Sequence, residues 1–240
     1  MAATNRRGGY GQTTCFLVAL CWHLASTVAT EQSCTLETDF KDDDFPCRKW
    51  LHCRQPTDWT SLSAEIKTKS ENDRLCAIVV DCANTVTISN FDFQTIGGQF
   101  GRVLNVTISR CNATQVSLAD DMYLVVELGL DGNAFDSLDF LKDWQSTEFE
   151  VLDFHNNRLR TVRQTDFANF NHLSSLRLDA NHITDVAANS FLNNHELVSV
   201  NLANNRLQTV GERMFAGMDA LKIFATGWEQ NQHFGRRNVH

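Results

Sequence analysis

Residues 149–172 read FEVLDFHNNRLRTVRQTDFANFNH, residues 173–196 read LSSLRLDANHITDVAANSFLNNHE, and residues 197–220 read LVSVNLANNRLQTVGERMFAGMDA. Set under one another at a step of 24 residues, the three blocks share apolar side chains at positions 1, 4, 6, 11, 14 and 19. In the middle block these are Leu173, Leu176, Leu178, Ile183, Val186 and Phe191. Position 9 is asparagine each time, at Asn157, Asn181 and Asn205. A further block opens at Leu221 as LKIFATG and then leaves the pattern. A fixed period of this length is the mark of a solenoid, in which each turn covers the apolar face of the next.

Within one block, apolar positions 4 and 6 alternate with polar positions 3, 5 and 7, which is the period of a strand with one face inward. Positions 11, 14 and 19 bring the chain back on the opposite side through loops or short 3₁₀ turns. The position-9 asparagine sits where the strand ends and the chain turns inward. Its amide both donates and accepts, so it can serve backbone groups of a neighbouring turn that burial would otherwise leave unpaired. Phe167, Phe191 and Phe215 are expected to stack as a column on the convex side.

Working towards the N-terminus, VVELGLDGNAF places Val125, Leu128, Leu130, Asn133 and Phe135 in the same template, with Asn133 as its ladder residue. VLNVTISRCNA places Val103, Val106, Ile108 and, at position 9, Cys111. ANTVTISNFDF places Val86, Ile88, Phe91 and Phe93. Starts at 83, 103, 125, 149, 173, 197 and 221 give about seven turns over residues 83–226. Two sequons, Asn105-Val-Thr107 and Asn112-Ala-Thr114, are N-glycosylation acceptors, the first pointing outward from a strand and the second on the rim.

Residues 1–29 read as a secretory signal: Arg6 and Arg7, then the apolar run CFLVALCWHL from Cys15, then Thr27 and Ala29 before the expected cleavage. The run is shorter than a bilayer requires, and no later stretch is long and apolar enough to span one. The exported chain would then start at Thr30, and removing two arginines takes the formal charge from −8 to −10. That balance, without a basic stripe, argues against nucleic acid as a partner.

Six cysteines remain: Cys34, Cys47, Cys53, Cys76, Cys82 and Cys111. In an exported chain they are expected in disulfides, most of them in a Cys-rich N-terminal cap over residues 30–82. The spacing leaves the pairing open. Cys111 is either a buried ladder residue or the sixth member of three bridges. WTSLSAEIKTK, from Trp59, hints at a short cap helix, and Cys76 to Cys82 reads as a cap strand that pairs with the first repeat. The acidic run at Asp39–Asp44 lacks the spacing of a calcium loop and reads as a solvated turn.

No nucleophile, base and orienting acid come together in any motif, and Gly97-Gly98 lacks the sequel of a phosphate loop. The chain is therefore read as a binding module and not an enzyme, with no cofactor and no metal. The outward strand positions build the expected concave surface. Its candidate ligand-binding residues are Glu127, Asp131, Asp153, His155, Arg177, Asp179, Ser199 and Asn201, a mildly acidic strip suited to a partly basic protein ligand. Residues 227–240 are polar and unpatterned, so the apolar edge around Leu221 and Phe224 needs a lid. Trp228 and Phe234 folding back, a second chain, or a continuation in a longer parent would each supply one.

The motif L-x-x-L-x-L-x-x-N-x-L with Phe at position 19 resembles the extracellular leucine-rich repeat proteins over residues 83–226. With the cysteine cap and export signal, it looks like the secreted and Toll-type immune members found in arthropods. The resemblance implies an α/β solenoid, a curved horseshoe with a parallel β-sheet on its concave face. It also implies recognition of a protein or microbial ligand in innate immunity or receptor-type signalling, and pairing with a like or different repeat chain. The C-terminal cap, membrane span and signalling domain of that class have no counterpart here, so a truncated form of a longer transmembrane receptor is one expectation. A matrix or cell-adhesion protein is the alternative of another class.

Overall fold

The computed structural model describes residues 33–38, 49–96, 100, 101, 103–144, 148–209 and 211–226. The expected signal at 1–29, the acidic run at 39–44, Cys47, and the tail at 227–240 with Trp228 and Phe234 lie outside the described residues.

The N-terminal module starts with strands β1 (Cys34–Thr38) and β2 (Lys49–Arg54), an antiparallel pair that sets Cys34 opposite Cys53. A disulfide joins those two residues. Helix α1 (Trp59–Asn72) follows, three residues longer than the apolar spacing indicates. Asp58 caps it by accepting from the Ser61 N–H at 2.9 Å, while Leu62 and Ile66 point into the core. Trp59 meets Phe91 and Phe93 edge to face, at 5.2 and 5.8 Å between ring centres.

Strand β3 (Ala77–Asp81) departs from the expected register of the repeats. It is not only a cap strand: it pairs in parallel with β2 on one side and with β5 (Asn105–Ser109) on the other, Ala77 facing Asn105. Leu75, Ile78 and Val80 thereby occupy positions 1, 4 and 6, so the first turn starts at 75 rather than 83. The segment placed there by spacing runs down the opposite side. It forms β4 (Asn90–Asp92) and the single turn α2 (Phe93–Ile96), and β4 pairs with β6 (Gln115–Ser117). The Val/Ile/Thr composition of 86–88 suits a strand on either side of a turn, so periodicity alone did not separate the two.

The later strands are β7 (Glu127–Gly129), β8 (Val151–Asp153), β9 (Thr161–Val162), β10 (Ser175–Arg177), β11 (Asp185–Val186), β12 (Ser199–Asn201) and β13 (Ile223–Ala225). Strands β7, β8, β10, β12 and β13 follow at the expected step, while β9 and β11 form where the return side was expected to hold only loops or 3₁₀ turns. Among the described residues, nine strands make one sheet in the order β1-β2-β3-β5-β7-β8-β10-β12-β13, parallel from β2 onward. Seven of them, β3 to β13, are repeat strands. The return side carries the short parallel pairs β4–β6 and β9–β11 and 3₁₀ turns at Asp139–Asp143 and Glu212–Phe215.

Between the two sides lies a continuous core. The asparagine ladder explains how its polar edge is closed. Asn157 Oδ1 accepts from the Phe135 N–H of the preceding turn at 3.1 Å, and its Nδ2 donates to Leu130 O there at 2.8 Å and to Phe154 O in its own turn at 3.1 Å. Asn133, Asn181 and Asn205 repeat the arrangement. Each amide bonds backbone, not the next asparagine. Asn133, Asn157 and Asn181 are buried and Asn205 is half-buried, because only one further turn covers it. Cys111 takes the ladder position in its own turn but is disulfide-bonded to Cys82, linking the ends of β3 and β5. Cys76 is disulfide-bonded as well.

The phenylalanine column holds for two members only. Phe167 and Phe191 are buried and stacked at 5.9 Å, 18° from parallel. Phe215 instead turns out, 39% exposed, and packs edge to face on Phe224 at 4.9 Å, while Met214 and Met218 are buried in that turn. The 3₁₀ turn at 212–215 rotates the phenylalanine off the column. The same turn packs closely on its predecessor at Gly217, which has φ +86°, and a Cβ there would stand 2.3 Å from Leu192 O. Gly217→Ala is expected to destabilise the last turn by about 1–3 kcal/mol, since it meets both a left-handed backbone and a backbone clash. Urea unfolding followed at this turn would show it, and an unchanged midpoint would contradict the close approach.

Candidate functional site

The outward side chains of the sheet line up in rows because the parallel register runs unbroken through the repeats. One row contains Asn105, Glu127, Val151, Ser175 and Ser199; the next contains Thr107, Gly129, Asp153, Arg177 and Asn201. Asp131, His155 and Asp179 follow at the strand ends. All eight candidate binding residues thus belong to this one open face, and they are not equivalent.

Four of them form a connected group. Asp153 accepts from the His155 N–H at 2.9 Å, lies 2.8 Å from His155 Nδ1, and pairs through its other oxygen with Arg177 Nη1 at 2.9 Å. Arg177 Nε stands 3.5 Å from Asp179 Oδ1. That contact is an ion pair without hydrogen-bond alignment, and Asp179 Oδ1 is buried with no hydrogen-bond donor. The other candidates are held separately. Ser109 Oγ donates to Asp131 at 2.6 Å, Asn105 Nδ2 donates to Glu127 at 2.6 Å, and Asn201 Oδ1 accepts from the Ala203 N–H at 3.1 Å. Ser199 opens β12, half-buried. Thr107 packs over Gly129, where a Cβ would come within 3.2 Å of it.

Both glycosylation acceptors are accessible to different degrees. Asn105 is half-buried at the start of β5, tied to Glu127 and accepting from Thr107 Oγ1 at 3.1 Å. Asn112 is exposed, with a left-handed backbone at φ 56°.

The open face also extends over the N-terminal module, which the sequence did not disclose. Glu37, Trp50 and His52 on β1 and β2 continue the same rows, and Asp81 on β3 pairs with Arg110. The Trp50 indole N–H holds the Glu37 carboxyl below its usual range; partial burial opposes this, and His52 and Arg54 add to it. Burial works against ionisation of Asp81 most strongly. Arg110 and the Ala83 N–H outweigh it and lower the pKa of that carboxyl. The alternation in KWLHCR and AIVVD was the available signal, but only strand pairing shows that they join the repeat sheet.

Arg177 is 44% exposed, so its ion pairs stand in high dielectric. Arg177→Ala is expected to cost no more than about 1 kcal/mol of stability. Thermal unfolding beside the parent protein measures it. A loss of several kcal/mol would make the Asp153 group part of the fold's support rather than a spare surface.

Among the described residues no three His, Cys, Asp or Glu side chains are disposed to hold a metal ion, and no helix is long and apolar enough to cross a membrane. The leucine-rich repeat family profile matches residues 171–224. No curated protein matches the chain. Among solved structures, a TLR13–ssRNA13 complex is similar, with 19% sequence identity and a TM-score of 0.54. The likeness covers 73% of this chain but spans only 31% of that protein's chain. Over residues 171–224 the chain thus carries leucine-rich repeats, and its described residues fold as a leucine-rich-repeat solenoid.

Proposed function

We propose that this chain is an exported recognition module that binds a protein or microbial ligand across the open face of its sheet, in innate immunity or receptor-type signalling. The observation that carries the reading is the Asp153–His155–Arg177–Asp179 group. It holds charged side chains in register on a face whose inner side alone builds the core, and it leaves a buried carboxylate oxygen of Asp179 without a donor. A ligand amine or guanidinium that pairs with the carboxylates of this group would form charge-assisted hydrogen bonds, which are among the stronger ones. The likeness to a TLR13–ssRNA13 complex supports ligand binding in a general way. Disulfides at Cys34–Cys53 and Cys82–Cys111 are compatible with an oxidising, extracellular setting.

A glycan on Asn105 would replace its bond to Glu127 and shield the N-terminal part of the face. Binding would then concentrate from Asp153 to Asn201. The test is an array of extracellular proteins and microbial glycans probed with the exported, glycosylated chain. A partner whose affinity falls about tenfold or more with Arg177→Glu or Asp179→Asn, at unchanged melting temperature, supports the reading. Partners indifferent to every substitution on this face would overturn it. The matrix or adhesion alternative predicts concentration-dependent self-association and binding to matrix components instead.

A further inference from the structure

The described arginines of this acidic chain fall into two groups. Arg54, Arg110, Arg163 and Arg177 each pair with a carboxylate. Five do not, Arg74 and Arg213 and the three that stand with His182, namely Arg158, Arg160 and Arg206; those four side chains are exposed, and no ion pair among the described residues involves them. They follow the ladder asparagines at template positions 10 and 12, on the rim where the chain leaves the open face. Arg158, His182 and Arg206 occupy the same position in three successive turns. Their N–H groups donate to Phe135 O, Leu159 O and Ile183 O of the turns before, at 2.9, 2.9 and 2.8 Å. The row is therefore rigidly spaced. Arg158 Nη2 donates to Asn112 Oδ1 at 3.3 Å. Asp136 and Asp185, at template positions 12 and 13, are exposed, and neither forms an ion pair among the described residues.

We infer that this rim is a docking surface for a protein partner that presents carboxylates on successive turns of one α-helix. Backbone N–H groups of the row are already spent in the ladder, so an extended peptide has no edge to add to. Recognition falls to the side chains. Neighbouring turns of the solenoid are about 4.8 Å apart. Carboxylates at i and i+4 of a helix stand about 5–6 Å apart, close to that step, and the arginine fork matches a carboxylate in two-point contact. Alternate side chains of a strand, at about 6.6 Å, drift out of step within two turns.

The test uses the exported full chain and three probes: a helical peptide with Glu at i, i+4 and i+8, a peptide of the same composition with the glutamates spread around the helix, and a thymidine oligonucleotide. The first should bind at least about tenfold more tightly than the second, and more weakly as salt rises. Arg158→Glu and Arg206→Glu should each abolish that preference, while Asp179→Asn leaves it intact, which keeps this surface distinguishable from the open face. Arg158→Gln and Arg206→Gln serve if charge reversal disturbs folding. Equal binding of the two peptides, tighter binding of the oligonucleotide, or indifference to the arginine variants would each overturn the inference.

Discussion

Phe191→Ala lowers the stability of the solenoid by about 3–5 kcal/mol, the range for emptying a fully buried aromatic site. Phe191 has no exposed surface and stacks on Phe167 at 5.9 Å. Its turn holds little that could collapse into the space. The Phe215 ring of the next turn already points outward onto Phe224. The backbone on either side is pinned by the ladders that join successive turns. For a chain of this size the loss corresponds to roughly 10 °C in melting temperature. Calorimetry on the exported protein measures it. A shift like that of the exposed Arg177→Ala would mean that Phe191 is not in the core.

Asn181→Ala is expected to cost about 1–3 kcal/mol, for a different reason. The cavity is small, but Oδ1 serves the Leu159 N–H of the preceding turn at 3.0 Å, and Nδ2 serves Phe154 O there at 2.9 Å and Leu178 O in its own turn at 3.1 Å. Each buried group left unpaired costs roughly 1–3 kcal/mol, and here that group is the Leu159 N–H, since Phe154 O and Leu178 O keep the amides of Asn157 and Asn205. Asn205→Ala should cost less, because Asn205 is only half-buried. Urea titrations of the two variants compare them directly. Equal losses would mean that the ladder's contribution does not follow burial.

Much of this was legible before any coordinates. A step of 24 residues, the alternation at positions 3 to 7 and the asparagine at position 9 each report one local requirement, and they agree turn after turn. Where the local requirements are satisfied twice, the reading slipped. Residues 86–93 would suit a strand on either side of the solenoid, and only the pairing of β3 with both β2 and β5 decided that they lie on the return side. The spacing left Cys111 open between ladder residue and bridge, because proximity to Cys82 is set by two strands side by side. Phe215 obeys the pattern in sequence yet leaves the column, since the 3₁₀ turn that carries it turns it towards Phe224.

The candidate site divides in the same way. Alternation along each strand assigned Glu127, Asp131, Asp153, His155, Arg177, Asp179, Ser199 and Asn201 to one face, because a strand offers only two. Which of them touch is a property between strands. Arg177 reaches Asp153 across the register of β8 and β10, and Ser109 reaches Asp131 from the neighbouring turn. The sequence by itself determined the repeat, the buried face and the ladder, all of which follow from periodicity within one turn. Only the tertiary structure decided where the first turn begins, which cysteines meet, and which charges are paired and which stand free, because each of those depends on how one turn is laid beside the next.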